Sequence, residues 1–506
     1  MLILGDHPLT IQEIISVARK NEKVSIGDNA KKLVSQSYNC LSKIVESDKP
    51  TYGINTGFGI FSDKKIKGDE ANQLSRNLIL SHAVGTGPIL PNDVTKAAML
   101  VRANTLAKGF SGVRLEIIET LVEMLNRGVT PVVPSQGSLG SSGDLCPLSH
   151  MALVLTTDSN DLESESGYAE VDGQILTGKQ AMSMVGLARI VLGPKEGLAI
   201  NNGATFSAAI GALAIYDSEY LIDLADRSIA MTLEALLGCS GAFDERIHQA
   251  RGQLGQLDSA KRIRDSFKGS TFVDSSDNIQ DAYSLRCSPQ IHGSVRDTIG
   301  YTRQVVEREI NAATDNPLIF EPGEAISGGN FHGEPVGLVM DFLSIALCEL
   351  GAITERRIFR MTDGKLNMGL PPMLVDSFDK AGLNSGMMML QYTAASLVLE
   401  NQTLATPDSV HSLPTSAEQE DHNANSMTAA RHTAMIIENL QQILGIELYM
   451  SVRALDLRMR IQSGKMGKET TNLYKQIRSQ IKYTAGDTYW GPEINLTKQL
   501  VKDHVL

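Results

Sequence analysis

Four stretches of this chain, Ala208 to Ala225, Val295 to Asn311, Val336 to Arg357 and Ala429 to Met450, are long, apolar at helical spacing and nearly free of helix breakers. Such segments bury their apolar stripes most economically against one another, so the sequence predicts a mainly α fold with a long central helical bundle over 206–506. Residues 1–205 read differently, as an N-terminal region of shorter helices broken by loops. Thr10 with Glu13 makes a capping box ahead of Ile14, Ile15 and Ala18. Val113 to Arg127 repeats the helical pattern and stops at Gly128, before Pro131 and Pro134. Alternation over Tyr168 to Ile175 predicts a small hairpin. No repeat or low-complexity linker divides the chain, so 1–506 is read as one unit.

The chemistry is bounded by charge and cysteine usage. A net charge of -12 with a pI near 5.4 argues against nucleic acid or an anionic membrane as partner. Five scattered cysteines, Cys40, Cys146, Cys239, Cys287 and Cys348, contain no Cys-x-x-Cys pair for zinc or redox work, so no metal is expected and a reducing cytoplasm fits best. The start, Met-Leu-Ile-Leu-Gly-Asp-His, lacks the basic lead and long apolar stretch of a secretory signal. The apolar run Val336 to Ile353 is interrupted by Asp341 and Glu349, which suits a core helix rather than a membrane span.

The most reactive stretch is Gly137-Ser138-Leu139-Gly140-Ser141-Ser142-Gly143-Asp144. In a tight Ser-Ser-Gly loop, the bare α-carbon of Gly143 lets its amide nitrogen approach the Ser141 carbonyl. Ring closure, with loss of water from the ring and from the Ser142 side chain, gives a methylidene-imidazolone. If formed, that group is a carbon electrophile made autocatalytically from Ser141, Ser142 and Gly143, with no external cofactor; the residues alone leave a plain connector or a phosphate-cradling turn as the alternatives.

The whole segment Gly137 to His150 resembles the prosthetic-group motif of the aromatic amino acid ammonia-lyases and 2,3-aminomutases, Gly-Ser-x-Gly-Ala-Ser-Gly-Asp-Leu-Ala-Pro-Leu-Ser-His. Ser141 and Cys146 stand where that form has alanine; both are small, and cyclisation uses only the backbone of Ser141. Further segments match the same family in the same order between Tyr52 and Met427. Tyr52-Gly-Ile-Asn-Thr-Gly-Phe58-Gly59 resembles the family's active-site loop, which makes Tyr52 a candidate proton-transfer residue. Glu196-Gly-Leu-Ala-Ile-Asn-Asn-Gly203 places Asn202 where the family holds substrate and prosthetic group. Ser327-Gly-Gly-Asn-Phe-His-Gly-Glu-Pro335 matches a loop that brings Phe331 to the pocket.

Gln280, Tyr283 and Arg286 recur every three residues, a spacing that places them on one face if the segment is helical. The resemblance to Gln-Asp-x-Tyr-Ser-x-Arg implies that Arg286 forks onto the substrate carboxylate, with Gln280 and Tyr283 beside it. Asn77 to Gly85, with Ser81-His82 before Ala83, resembles the histidine-specific branch. Glu420 stands where phenylalanine-specific relatives tend to carry glutamine, in a segment about two residues longer than the usual family form. His82 and Glu420 are therefore candidates to hold an imidazole ring.

What the resemblance implies is elimination of ammonia from L-histidine to give trans-urocanate, the opening step of histidine breakdown. The alternative is the same prosthetic group acting on tyrosine or phenylalanine, as lyase or aminomutase. Tyr52, Tyr283 and Glu420 are the candidates for the base that removes the β-proton. The sequence leaves open whether amine or ring attacks the electrophile. The resemblance also implies a homotetramer whose sites are assembled from several subunits, with a small amino acid as ligand.

Overall fold

The computed structural model describes residues 1–47, 50–57, 64–66 and 70–506. It is mostly helical, at 59% helix, as the periodicity predicts. Three of the four long segments lie within the helices Thr205–Ala235, Glu334–Thr362 and Ser426–Ile461, and Val295 to Asn311 lies in Ser288–Glu309 except for its last two residues, which form a turn. Each is longer than its apolar core because the flanking residues continue the helical backbone without a breaker.

The described residues form two compact units. The first comprises Met1–Tyr216, Arg303–Asp341 and Pro407–Arg431; the second comprises Asp217–Thr302, Phe342–Thr406 and His432–Leu506.

In the first unit, the helix Ile11–Lys20 starts at Thr10, whose side chain accepts from the Glu13 amide while the Glu13 carboxylate accepts from the Thr10 amide at 2.9 Å. Helix Leu115–Asn126 buries Ile117, Ile118, Leu121, Val122 and Met124 and ends before Gly128, at φ +74°. The expected hairpin is present: Tyr168–Val171 pairs antiparallel with Gln174–Thr177 around a turn in which Asp172 and Gly173 both have positive φ. Among the described residues, sheet is limited to two- and three-stranded pieces that close loops. The interior holds charge in matched pairs: Lys195 Nζ lies 2.5 Å from Asp315 Oδ2, both side chains wholly buried. Asp341, the acid inside the apolar run, accepts from the amides of Asp408 and Ser409 at 3.0 and 2.9 Å, so its burial leaves no charge unsolvated.

The second unit is a bundle of long helical segments keyed by buried polar contacts. Glu447 accepts from Ser228 Oγ at 2.8 Å and from Nε and Nη2 of Arg357, the latter at 3.0 Å. His292 Nδ1 contacts Asp226 at 2.7 Å, and Arg296 Nη2 closes on the other Asp226 oxygen at 2.6 Å. Among the described residues, one helix, Glu334–Thr362, is long and apolar enough to cross a membrane, and 67% of its most apolar window is buried in the protein.

Burial holds the His292 imidazole below its ordinary pKa, so the folded chain keeps this ring neutral where an unfolded chain would protonate it. Stability from this site is complete above the unfolded value near 6.5 and declines as pH falls below it, by about 1.4 kcal/mol per pH unit until the folded value is reached. Melting temperature measured from pH 8 to pH 5 should fall less steeply for His292→Asn, whose amide still donates to Asp226.

Candidate active site

The Ser141–Gly143 loop is fixed from beneath by its own chain neighbours. Asp144 is fully buried and accepts from Ser138 Oγ at 2.8 Å, from the Ser207 amide at 2.8 Å and from Ser207 Oγ at 3.0 Å. Burial pushes its carboxyl pKa up, and these donors oppose that push. The Asp144 amide donates to the Gly203 carbonyl at 2.9 Å. Helix Leu145–Leu155 begins at the next residue, so the loop is anchored to a helix at its C-terminal end.

Gly143 has φ +76°, and a Cβ there would sit 2.1 Å from the Gly203 carbonyl carbon. Neither that dihedral nor that contact admits a side chain. The Ser142 carbonyl oxygen accepts from Asn202 Nδ2 at 2.6 Å and from the Gly203 amide at 3.3 Å. Ser141 is buried, and its hydroxyl meets Asn423 Oδ1 and the Ala424 amide. A glycine at positive φ in a space no side chain can enter and a Ser142 carbonyl held by two donors are compatible with an internal five-membered ring closed between Gly143 and Ser141. The residues present fit a methylidene-imidazolone.

Ser142 faces two adjoining cavities, and every residue lining them belongs to the first unit. The larger, about 630 Å³, is mostly apolar, with Leu74, Leu78, Leu145 and Leu198 in its walls. His82, Asn202 and Ser81 supply polar groups there. The smaller, about 430 Å³, is lined by Ser141, Ser327, His332, Asp421 and His422. Tyr52, Ser142, Asn316, Phe331 and Glu420 border both. The structure thus brings Tyr52, His82, Ser142, Asn202, Phe331 and Glu420 together. Phe58 and Gly59 of the tyrosine loop lie outside the described residues.

His82 is the last residue of helix Ala71–His82. Its Nδ1 lies 3.0 Å from Ser81 Oγ, and burial holds the ring below its usual pKa, opposed by the Leu78 carbonyl and the Glu420 charge. Ser81 Oγ donates its proton to the Leu78 carbonyl at 3.2 Å, so it accepts from His82 Nδ1–H, which leaves Nε2 as an acceptor. Glu420 closes a small antiparallel bridge with Thr415, whose amide donates to the Glu420 carbonyl at 2.8 Å. The tip between them, Ser416-Ala417-Glu418, runs through three consecutive positive φ values, so the longer segment is absorbed in a left-handed turn that still delivers Glu420 to the cavity.

One expectation is corrected. Gln280 is not helical: the helical turn is only Tyr283–Arg286, entered from an extended Ala282. The Asp281 carboxylate takes the Cys239 amide at 2.7 Å, pinning the preceding segment in an extended path, so Gln280 does not share a helical face with Tyr283 and Arg286. These three residues belong to the second unit and line neither cavity. Tyr283 is 70% exposed, and the Arg286 guanidinium lies 4.7 Å above its ring.

Sequence reasoning missed Asn77, Lys64, Asn316 and Ser416 as lining residues. Asn316 had a readable signal, an Asp-Asn-Pro turn: its Oδ1 accepts from the Gly328 amide at 2.7 Å and its Nδ2 donates to Ser327 at 3.0 Å, fixing the loop that carries Phe331.

A helical fold whose glycine-tight Ser-Ser-Gly loop opens on an apolar cavity defines a recognisable class. The family profile of aromatic amino acid lyases matches residues 9–479, and the chain belongs to that family; it is a carbon-nitrogen lyase. The chain is similar to a histidine ammonia-lyase of Caldanaerobacter subterraneus subsp. tengcongensis, 46% identical over 504 residues that cover 99% of this chain and 96% of that protein. Among solved structures it is similar to a histidine ammonia-lyase from Trypanosoma cruzi, with a TM-score of 0.90 and 34% identity over 100% of this chain and 94% of that one. A tyrosine aminomutase from Streptomyces globisporus gives a TM-score of 0.92 and 32% identity over 100% and 97% of the two chains.

Proposed function

We propose that the protein eliminates ammonia from L-histidine to give trans-urocanate, using a methylidene-imidazolone formed from Ser141, Ser142 and Gly143. The observation that carries this reading is one cavity bordered by Ser142, His82 and Glu420. The prosthetic group supplies an electron-poor alkene carbon, which the reaction needs because an alkylammonium leaves badly and a β-hydrogen beside imidazole is weakly acidic.

Asn202 and the Gly203 amide draw electron density from the Ser142 carbonyl and fix its direction. His82 Nε2 and the Glu420 carboxylate are both acceptors, so together they favour a substrate ring carrying a proton on each nitrogen, the form in which the β-hydrogen is most acidic. Phe331 and the leucine walls exclude water from that ring. Tyr52 and Glu420 border both cavities and are our candidates for the β-proton base, with Tyr283 the third.

Arg286 is proposed to anchor the substrate carboxylate from a neighbouring copy in a homotetramer. Its Nε is buried with no hydrogen-bond partner among the described residues, and it lines neither cavity of its own chain. Exposed apolar side chains in the second unit, Tyr301, Phe342 and Ile345, support subunit packing there. Five free cysteines favour a reducing cytoplasm as its place of work.

Incubation with L-histidine, L-tyrosine and L-phenylalanine in turn, followed by product absorbance, tests the reading. Urocanate from histidine at a rate well above any cinnamate-type product is expected. The reverse order would assign the cavity to a carbocyclic ring.

A further inference from the structure

His150 closes the motif that begins at Gly137, yet it lines neither cavity. Its Nε2 accepts the Gly85 amide N–H at 2.9 Å. An amide can only donate in that contact, so the imidazole is neutral with its proton on Nδ1; burial lowers its pKa, in agreement. Gly85 lies three residues beyond His82, the terminal residue of its helix, and the short span between is tightened by the Val84 amide donating to the His82 carbonyl at 3.0 Å.

Cys146, one helical turn before His150, packs on the same short segment. A Cβ at Gly85 would lie 3.1 Å from the Gln136 carbonyl oxygen, 3.2 Å from Cys146 Sγ and 3.2 Å from His150 Nε2. Immediately afterwards Thr86 pairs with Gln136, five residues before Ser141. The segment after His82 is therefore gripped by the strand that leads into the Ser141–Gly143 loop and by the helix that leaves it.

We infer that His150 is a positioning residue: by accepting the Gly85 amide it holds His82 at a fixed place relative to Ser142, and so sets where a substrate ring sits relative to the reactive carbon. This rests on the histidine reading of the cavity for its kinetic consequence. The clamp itself rests only on the Gly85 contacts.

The test uses the full-length enzyme with His150→Phe, which keeps a flat ring but removes the acceptor, and His150→Gln, whose amide oxygen can accept in its place. In His150→Phe the KM for L-histidine should rise roughly tenfold or more, with kcat changing much less. The two-water mass deficit should remain complete, and His150→Gln should recover most of the affinity. If His150→Phe does not fold, Gly85→Ala attacks the same contact from the other side and should raise KM likewise. An unchanged KM in whichever variant folds overturns the clamp. So does a lost mass deficit, which would place His150 in loop maturation instead. A crystal structure of the variant separates this from the substrate question: His82 displaced from its position near Ser142 supports the clamp even if histidine is not the substrate, and His82 unmoved overturns it.

Discussion

Ser142→Ala is expected to yield a folded chain with no detectable ammonia release and an intact mass that lacks the two-water deficit. In the proposed reading the Ser142 hydroxyl is the group whose loss creates the exocyclic alkene, and alanine carries no leaving group on its β-carbon. The fold has little reason to change. The contacts that anchor the loop run through the Ser142 carbonyl, the Gly203 backbone, Asp144 and Ser207, and alanine preserves all of them. Removing the electrophile forfeits most of the rate enhancement, so the loss should exceed that of any substitution that removes one hydrogen bond. Intact mass spectrometry beside a histidine turnover assay checks both halves; near-normal turnover would place the electrophile elsewhere.

Arg286→Ala should chiefly raise KM, by about 10- to 150-fold, the equivalent of the roughly 1.5–3 kcal/mol carried by a charged hydrogen bond. Arg286→Lys should recover only part of this, because an ammonium cannot reproduce the two-pronged contact of a guanidinium with a carboxylate. Steady-state kinetics of the two variants on L-histidine, with size-exclusion chromatography to confirm that assembly is retained, gives the measurement. An unchanged KM in Arg286→Ala would mean that the carboxylate is held by another cation, and Lys64 in the cavity wall would be examined next.

Much of the site was legible because it is written in short, contiguous segments. The Ser141-Ser142-Gly143 chemistry depends on three neighbours, and Asn202, Phe331, Tyr52, His82 and Glu420 each stand in a segment whose pattern is local. The helical face expected for Gln280 is absent for the opposite reason. A three-residue spacing describes a helix face only if the backbone is helical, and Asp281 is instead committed to the amide of Cys239, 42 positions away. The Gly85 to His150 contact, spanning 65 positions, and the entry of Asn316 and Ser416 into the cavity wall were equally beyond reach of spacing arguments.

By itself the sequence determined the helical character of the chain, the caps and the hairpin, and it pointed to the Ser141-Ser142-Gly143 loop proposed to carry the electrophile, since all of these follow from torsional preference and chemistry among near neighbours. Tertiary structure alone decided which loops meet Ser142, that Gly203 crowds Gly143 closely enough to exclude a side chain, and that Arg286 is not among the residues lining the cavities of its own chain. Those outcomes depend on contacts between segments far apart in the chain, such as Gly143 with Gly203 and Ser141 with Asn423, whose geometry is set by the packing of whole elements and leaves no periodic trace in the order of residues.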